Sequence, residues 1–404
     1  MKASLLTVGD ELLSGKTTNT NATWISHNLT LAGCNVVRNV TVGDKEEEIL
    51  DSLSALFELP VKLILCTGGL GPTHDDITRN AIFQFFNSDS VLDEDYWGNL
   101  KKRFSSLGYS IPSSNKSQAI IPHNGKVFPN PIGSARGLLF HKDNITFMAM
   151  PGVPSEMKAM MTDTVIPWVR KKSKKKNFSI NIRTTGIPES VLYEKIKIKN
   201  SIQKSINLGY YPSLFGVDIR ISGNNISSIE KVQKLIVKDV GPYIYNIGEE
   251  SLENIVVNKL MKNNLTIATA ESCTGGLIGH RITQASGSSK VYNGGLIAYS
   301  NKTKLDQLKI NNKTLNRFGA VSKEVASEMA VQVRNIFDSD IGVSVTGIAG
   351  PGGGTKDKPV GLVYVGYSDC NGLITKQFNF HSSRESNKIR TSQAVLNLIN
   401  QKAL

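Results

Sequence analysis

An α/β fold in three parts is predicted by two observations. Short apolar runs alternate with helical stretches through residues 3–160 and again from 249 onward. Such alternation means βαβ units and a parallel sheet. Residues 173–248 break the rhythm and read as a small α+β module with nothing catalytic in its composition. The domains are therefore placed at 1–172, 173–248 and 249–404. A chain of 404 residues has room for two or three domains of roughly 100–200 residues, and 40% hydrophobic content gives each a core to bury.

The elements follow in order. Residues 3–8 read as a buried strand. Trp24, Ile25, Leu29 and Ala32 recur at helical spacing over 19–32, and Gly33 supplies the stop. Strand 36–42, helix 46–57 and strand 61–66 come next. A loop over 67–73 leads into a helix expected over 75–86, followed by a helix over 93–108. Strand 145–150 runs into a proline-flanked turn and a further helix. In the middle module, 178–185 and 217–222 alternate like half-buried strands, with helices near 189–204 and 226–240. The last part reads as helix 251–263, strand 265–269, helix 275–284, strand 295–299, helix 322–336 and strand 341–345. Strands near 360–367 and 373–380 precede a terminal helix over 384–400.

No apolar run reaches the ~18 residues that span a bilayer. The N-terminus turns polar too soon for a signal peptide, and four scattered cysteines (Cys34, Cys66, Cys273, Cys370) show no metal spacing. A cytoplasmic protein with reduced thiols is expected. The net charge of +13 is mostly spread singly, and the dense run at 170–176 has no aromatic interleaving. That run reads as a solvated boundary, and no specific nucleic acid is expected.

Three loops carry chemistry. Ala270-Glu271-Ser272-Cys273-Thr274-Gly275-Gly276 is a polar turn between a strand and a helix, where backbone N–H groups favour anions and developing oxyanions. Gly9-Asp10-Glu11-Leu12-Leu13-Ser14-Gly15-Lys16-Thr17 is no P-loop, because five residues separate its glycines where a Walker A motif has four. Asp10 and Glu11 instead occupy the carboxyl end of a strand, the ligand edge of an open α/β sheet. Gly68-Gly69-Leu70-Gly71-Pro72-Thr73-His74-Asp75-Asp76 adds N–H groups, a hydroxyl and two carboxylates at that edge. Glycines for phosphate and carboxylates for Mg²⁺ are what pyrophosphate chemistry requires.

These loops carry a family resemblance. Gly9–Leu13, Thr20-Asn21, Gly68–Thr78, Asn130-Pro131-Ile132-Gly133 and residues 151–157 resemble the N-terminal half of CinA proteins. That half is similar to the MoaB/MogA molybdopterin-binding fold, a three-layer α/β domain. The 270–276 loop, 299–304, Gly319-Ala320-Val321-Ser322 and 346–351 resemble the CinA C-terminal domain, similar to the stand-alone PncC amidase. The resemblance implies deamidation of nicotinamide mononucleotide (NMN) by an α/β amidase domain. It also implies Mg²⁺-dependent ADP-ribose pyrophosphatase activity in the N-terminal half, and a homodimer. Asp10, Glu11, Asp75 and Asp76 would hold the metal, with Asn21, Gly68, Gly69, Gly71 and Thr73 on the substrate. Two departures bear on that half: Asn19 stands where the family usually has aspartate, and Arg136 where it tends to have proline.

Amide hydrolysis needs a nucleophile, a base and an oxyanion site. The C-terminal part has only His280 and His381, neither in a motif, which argues for a serine–lysine pair over a histidine triad. By the resemblance, Ser272 is the nucleophile and Lys304 its base, with Tyr299 in the same cluster. Lys304 must then be largely neutral through burial or a nearby cation. Cys273, Thr274, Gly275 and Gly276 would supply oxyanion donors, Thr346 and Gly347 a cradle, and Arg384 and Arg390 phosphate contacts. Cys273 is the rival nucleophile, since helix N-termini favour thiolates, but no base stands beside it in the sequence. The alternatives are a competence- or DNA-damage-associated scaffold, and molybdopterin binding by the N-terminal half.

Overall fold

The computed structural model describes residues 1–173, 178–197 and 206–403. The chain divides into two compact units, Met1–Phe178 and Ser179–Leu404. Lys174, Lys175 and Lys176 of the basic run, and residues 198–204 of the helix expected near 189–204, lie outside the described residues.

The first unit has strands β1 (Lys2–Val8), β2 (Asn35–Val42), β3 (Leu63–Thr67), β4 (Ser90–Leu92), β5 (Ile120–Pro122), β6 (Lys126–Phe128), β7 (Gly137–Lys142) and β8 (Ile145–Met150). Six of them form a sheet in the order β2-β1-β3-β8-β7-β6, with β4 and β5 paired separately. The first four are parallel and the last two are antiparallel additions. Side chains alternate across a strand, so Leu6 and Ile64 pack with Ile49 and Leu53 of helix Glu46–Phe57, while Leu5 and Leu65 pack with Ile25, Leu29 and Met160 on the other face. Helices thus cover both faces, giving three layers. The β7–β8 hairpin escaped the sequence reading because its turn, Asp143-Asn144, reaches positive φ at both residues without a glycine. The helix expected from residue 75 begins at Thr78.

The second unit holds two sheets. The module's β9 (Phe178–Thr184), β10 (Ile206–Ser213), β11 (Gly216–Gly223) and β12 (Ile244–Ile247) lie in the order β10-β11-β9-β12. Helix Ile226–Val240 buries Ile229, Val232, Ile236 and Val240, one stripe at helical spacing. The second sheet contains β13 (Ile267–Glu271), β14 (Tyr292–Ile297), β15 (Ile341–Gly347), β16 (Leu362–Asp369) and β17 (Gly372–Asn379), in the order β14-β13-β15-β16-β17. The first three are parallel and β16 and β17 antiparallel. β14 ends at Ile297, so Tyr299 falls in the loop beyond it rather than in the strand expected over 295–299. Helices Asn301–Asp306 and Asn312–Phe318 were not anticipated, being too short to show a period. Among the described residues no helix is long and apolar enough to cross a membrane.

Candidate active sites

Strand β13 delivers Glu271 and Ser272 to the carboxyl edge of the second sheet. The following turn passes through Gly275 and Gly276 at φ 63° and 96°, a left-handed conformation that glycine adopts without a Cβ penalty. Helix Leu277–Gln284 then begins. Its N-terminus is already filled. The buried Glu271 carboxylate accepts N–H bonds from Gly276 (2.9 Å), Ile278 (3.1 Å) and Gly279 (2.8 Å). The Ser272 N–H goes to the Val345 carbonyl and that of Gly275 to Ser272. Of the turn's N–H groups, those of Cys273 and Thr274 therefore remain for an oxyanion, a narrower set than the sequence had implied.

Lys304 arrives from helix Asn301–Asp306, whose start is fixed by the Ser300 side chain accepting the Thr303 N–H. Only 1% of Lys304 is exposed. Its Nζ donates to the Ala298 carbonyl (2.7 Å) and to Ser272 Oγ (2.9 Å), and lies 3.5 Å from the Tyr299 carbonyl. Burial pushes the ammonium down from its ordinary 10.5 to about 8. In its neutral form the amine keeps hydrogens for Ala298 and turns its lone pair to the serine hydroxyl.

The remaining expected residues separate. Tyr299 joins the cluster through its backbone, while its exposed ring turns its hydroxyl to Arg384 Nη2 (2.8 Å). Arg384 is also anchored on the Gly350 carbonyl, which ties the terminal helix to the loop after β15. Arg390 is elsewhere, lining a separate cavity. Lys388, not singled out from the sequence, has Nζ 3.8 Å from where a Cβ on Gly275 would sit. Thr346 spends its hydroxyl on the Ala320 carbonyl (2.7 Å), and Gly347 admits the neighbouring Leu362 and Val363 backbone. The Cys273 thiol packs into the core, where burial pushes it up to about 12. A thiol so protonated at neutral pH is a poor nucleophile, so the rivalry between Cys273 and Ser272 resolves to serine.

In the first unit, the carboxyl ends of β1, β2, β3 and β8 meet along one edge. A cleft of about 500 Å³ there is lined by Glu11, Asp44, the glycine loop, Gln118 and Glu156. A side chain at Gly68 would strike the Val8 carbonyl, and one at Gly69 the Thr78 hydroxyl. Asp76 is committed to the loop itself: it accepts the Gly71 N–H (2.8 Å), the Thr73 N–H (2.9 Å) and the Thr73 hydroxyl. Asp76 and Thr73 thus shape the loop, contrary to the roles expected for them. Asp44, which the sequence did not single out, exchanges backbone hydrogen bonds with Asp10. Burial raises the Asp44 carboxyl above its usual range, and the nearby Asp10, Glu11 and Asp75 charges raise it further. Among the described residues no three His, Cys, Asp or Glu groups converge as a ready metal cage. Hard carboxylate oxygens of this kind nonetheless fit Mg²⁺, which takes one or two carboxylates and completes its shell with phosphate and water. Asn21 and Gln118 are fixed by their amide N–H bonds to Gly152 and Leu70, and each keeps a buried side-chain oxygen without a partner.

Comparison with known proteins fits this geometry. Residues 249–403 match the CinA C-terminal domain, and residues 4–171 match the family described as "Probable molybdopterin binding domain". A competence-damage inducible protein of Clostridium botulinum is 40% identical over 391 residues, covering 95% of each chain. The chain belongs to the CinA family. A CinA-like protein of Salinibacter ruber is 39% identical over 98% of each chain. The solved structure of the competence/damage inducible protein CihA of Agrobacterium tumefaciens is 35% identical, covering 37% of this chain and 94% of that one with a TM-score of 0.36.

The two departures within this CinA chain have local accounts. Asn19 caps helix Thr20–Leu31 by accepting the Ala22 N–H (3.0 Å), and its amide donates to the Thr7 hydroxyl (2.9 Å), which an aspartate cannot do. Arg136 pairs with Asp93 (2.7 Å) and stacks over the Tyr96 ring (3.8 Å), pinning helix Glu94–Ser106 to the β7 end. Its guanidinium serves packing.

The Glu271 clamp yields a prediction. Glu271→Gln replaces a charged acceptor of three N–H bonds by a neutral amide with one acceptor oxygen. Stability in denaturant should fall by about 1–3 kcal/mol. An unchanged unfolding midpoint would show that the turn holds without the clamp.

Proposed function

We propose that the C-terminal domain hydrolyses the carboxamide of NMN to nicotinate mononucleotide and ammonia, with Ser272 as nucleophile and Lys304 as base. The observation that carries this reading is the buried Lys304 amine in hydrogen-bond contact with Ser272 Oγ. Ser272 Oγ attacks the carboxamide carbon and passes its proton to Lys304 Nζ. The Cys273 and Thr274 N–H groups take up the charge on the carbonyl oxygen. Lys304 returns the proton to the departing nitrogen, and ammonia leaves an acyl-serine. Water then attacks the ester, giving one proton to Lys304, which restores the serine hydroxyl as the carboxylate departs. Arg384 and Lys388 supply positive charge for the nucleotide phosphate.

With Lys304 titrating near 8, roughly a tenth of it is neutral at pH 7. The base must be deprotonated, so kcat/KM should climb about tenfold per pH unit below 8 and level off above it. A profile flat between pH 6 and 9 would contradict this. Ser272→Ala should abolish ammonia release and Lys304→Met should lower it by ~10²–10⁴. Cys273→Ala should retain most of the activity, and its inactivation alongside an active Ser272→Ala would return the role to the thiol.

For the N-terminal domain we propose hydrolysis of ADP-ribose to AMP and ribose 5-phosphate. The glycine loop and its carboxylates support a diphosphate, and the unpartnered oxygens of Asn21 and Gln118 suit ribose hydroxyls. Asp10, Glu11, Asp44 and Asp75 would hold Mg²⁺, which supplies charge neutralisation at the phosphate oxygens. Activity should vanish in excess chelator, and Asp75→Asn should raise the Mg²⁺ concentration needed for half-maximal rate without lowering stability. Hydrolysis persisting in chelator would overturn the metal-dependent reading.

A further inference from the structure

The second unit contains a cavity of about 610 Å³ that shares no lining residue with the Ser272 site. Its size falls within the roughly 300–1,000 Å³ of small-molecule pockets. Its walls include the rings of Phe215 and Tyr243 from the module and Phe378 from β17, the last stacked on Phe380 with centroids 5.6 Å apart. Two cations, Lys376 and Arg390, line it against one carboxylate, Glu189. Neither cation has an ion pair among the described residues.

Gln393 decides what the cavity asks for. It is 3% exposed, and its Oε1 accepts from Arg281 Nη2 at 2.8 Å. Arginine only donates, so the amide orientation is fixed and Nε2 must point its hydrogens elsewhere. Among the described residues this buried Nε2 has no partner. Arg281 is itself held by Glu253 (2.6 Å) and Ser392 (2.8 Å), which leaves Gln393 no freedom to flip. A buried donor without an acceptor costs about 1–3 kcal/mol, and a ligand offering an acceptor recovers it.

We infer that this cavity is a second small-molecule site, for a phosphorylated compound with a planar aromatic ring, of mononucleotide class. The phosphate meets Lys376 and Arg390, the ring lies on the aromatic wall, and a ring nitrogen or carbonyl accepts from Gln393 Nε2. The site is independent of the amidase reading, since Ser272, Lys304 and Arg384 take no part in it.

Photolabelling of the full chain with an azido derivative of adenosine monophosphate, mapped by mass spectrometry, tests the inference. Label is expected on peptides containing Phe215 or residues 376–401, and it should survive in Ser272→Ala. Arg390→Gln, an exposed change that leaves the fold alone, should cut that labelling at least about tenfold, as loss of a charge-assisted contact to phosphate does. Ala394→Trp, which fills the cavity, should do the same. Label confined to the N-terminal cleft, no label at millimolar probe, or labelling indifferent to Arg390→Gln would each overturn the proposal.

Discussion

Burying one lysine against one serine is the constraint that organises the C-terminal half. Holding Lys304 near 8 instead of its ordinary 10.5 represents roughly 3 kcal/mol of disfavour for the ammonium form. The unfolded chain binds more protons than the folded one between those values, so this lysine makes the fold more stable as pH rises through that window. The fold meets that cost with a dense local frame. Lys304 N–H bonds the Ser300 carbonyl, and its own carbonyl takes the Ile310 N–H. On the other side, Glu271 fixes the turn that carries Ser272. Nucleophile and base are thus set by two neighbouring strand ends, β13 and β14, and neither side chain depends on a mobile partner for its orientation.

The two halves use one architectural device with opposite charge. In each, parallel strands deliver their carboxyl ends to one edge, where glycine turns admit a ligand to the backbone. The C-terminal edge gathers Lys304, Arg384 and Lys388, suited to an anionic nucleotide attacked by a side-chain nucleophile. The N-terminal edge gathers Asp10, Glu11, Asp44 and Asp75, which repel a diphosphate unless a cation intervenes. The difference in charge explains why metal is invoked for one reaction and not the other.

Much of this was legible because it rests on local signals. The strand–helix alternation gave both parallel sheets, and helix 46–57 was read to its ends because Ile49, Leu53 and Leu56 repeat on one face. The Ser272 turn was visible as a polar, glycine-bearing strand-to-helix junction. What escaped depends on contacts between distant residues. Nothing in the sequence separates Asp75 from Asp76, yet one faces the cleft and the other clamps Gly71 and Thr73. Arg384, Lys388 and Arg390 lie on one terminal helix, and their differing azimuths send Arg390 to another cavity. Asp44 looked like an ordinary strand-end residue until the parallel pairing of β1 with β2 set it beside Asp10. Short helix Asn301–Asp306, which carries the base, has too few residues to display a period at all.

The central claim is that burial, with no neighbouring cation, tunes Lys304 for proton transfer with Ser272. The most direct measurement is an NMR titration of the Lys304 side chain in the full chain, assigned by comparison with Lys304→Met. The account predicts a midpoint near 8 that stays well below the ordinary 10.5 in Ser272→Ala, because desolvation and not the hydroxyl sets it. A midpoint near 10.5 in the native protein would contradict it.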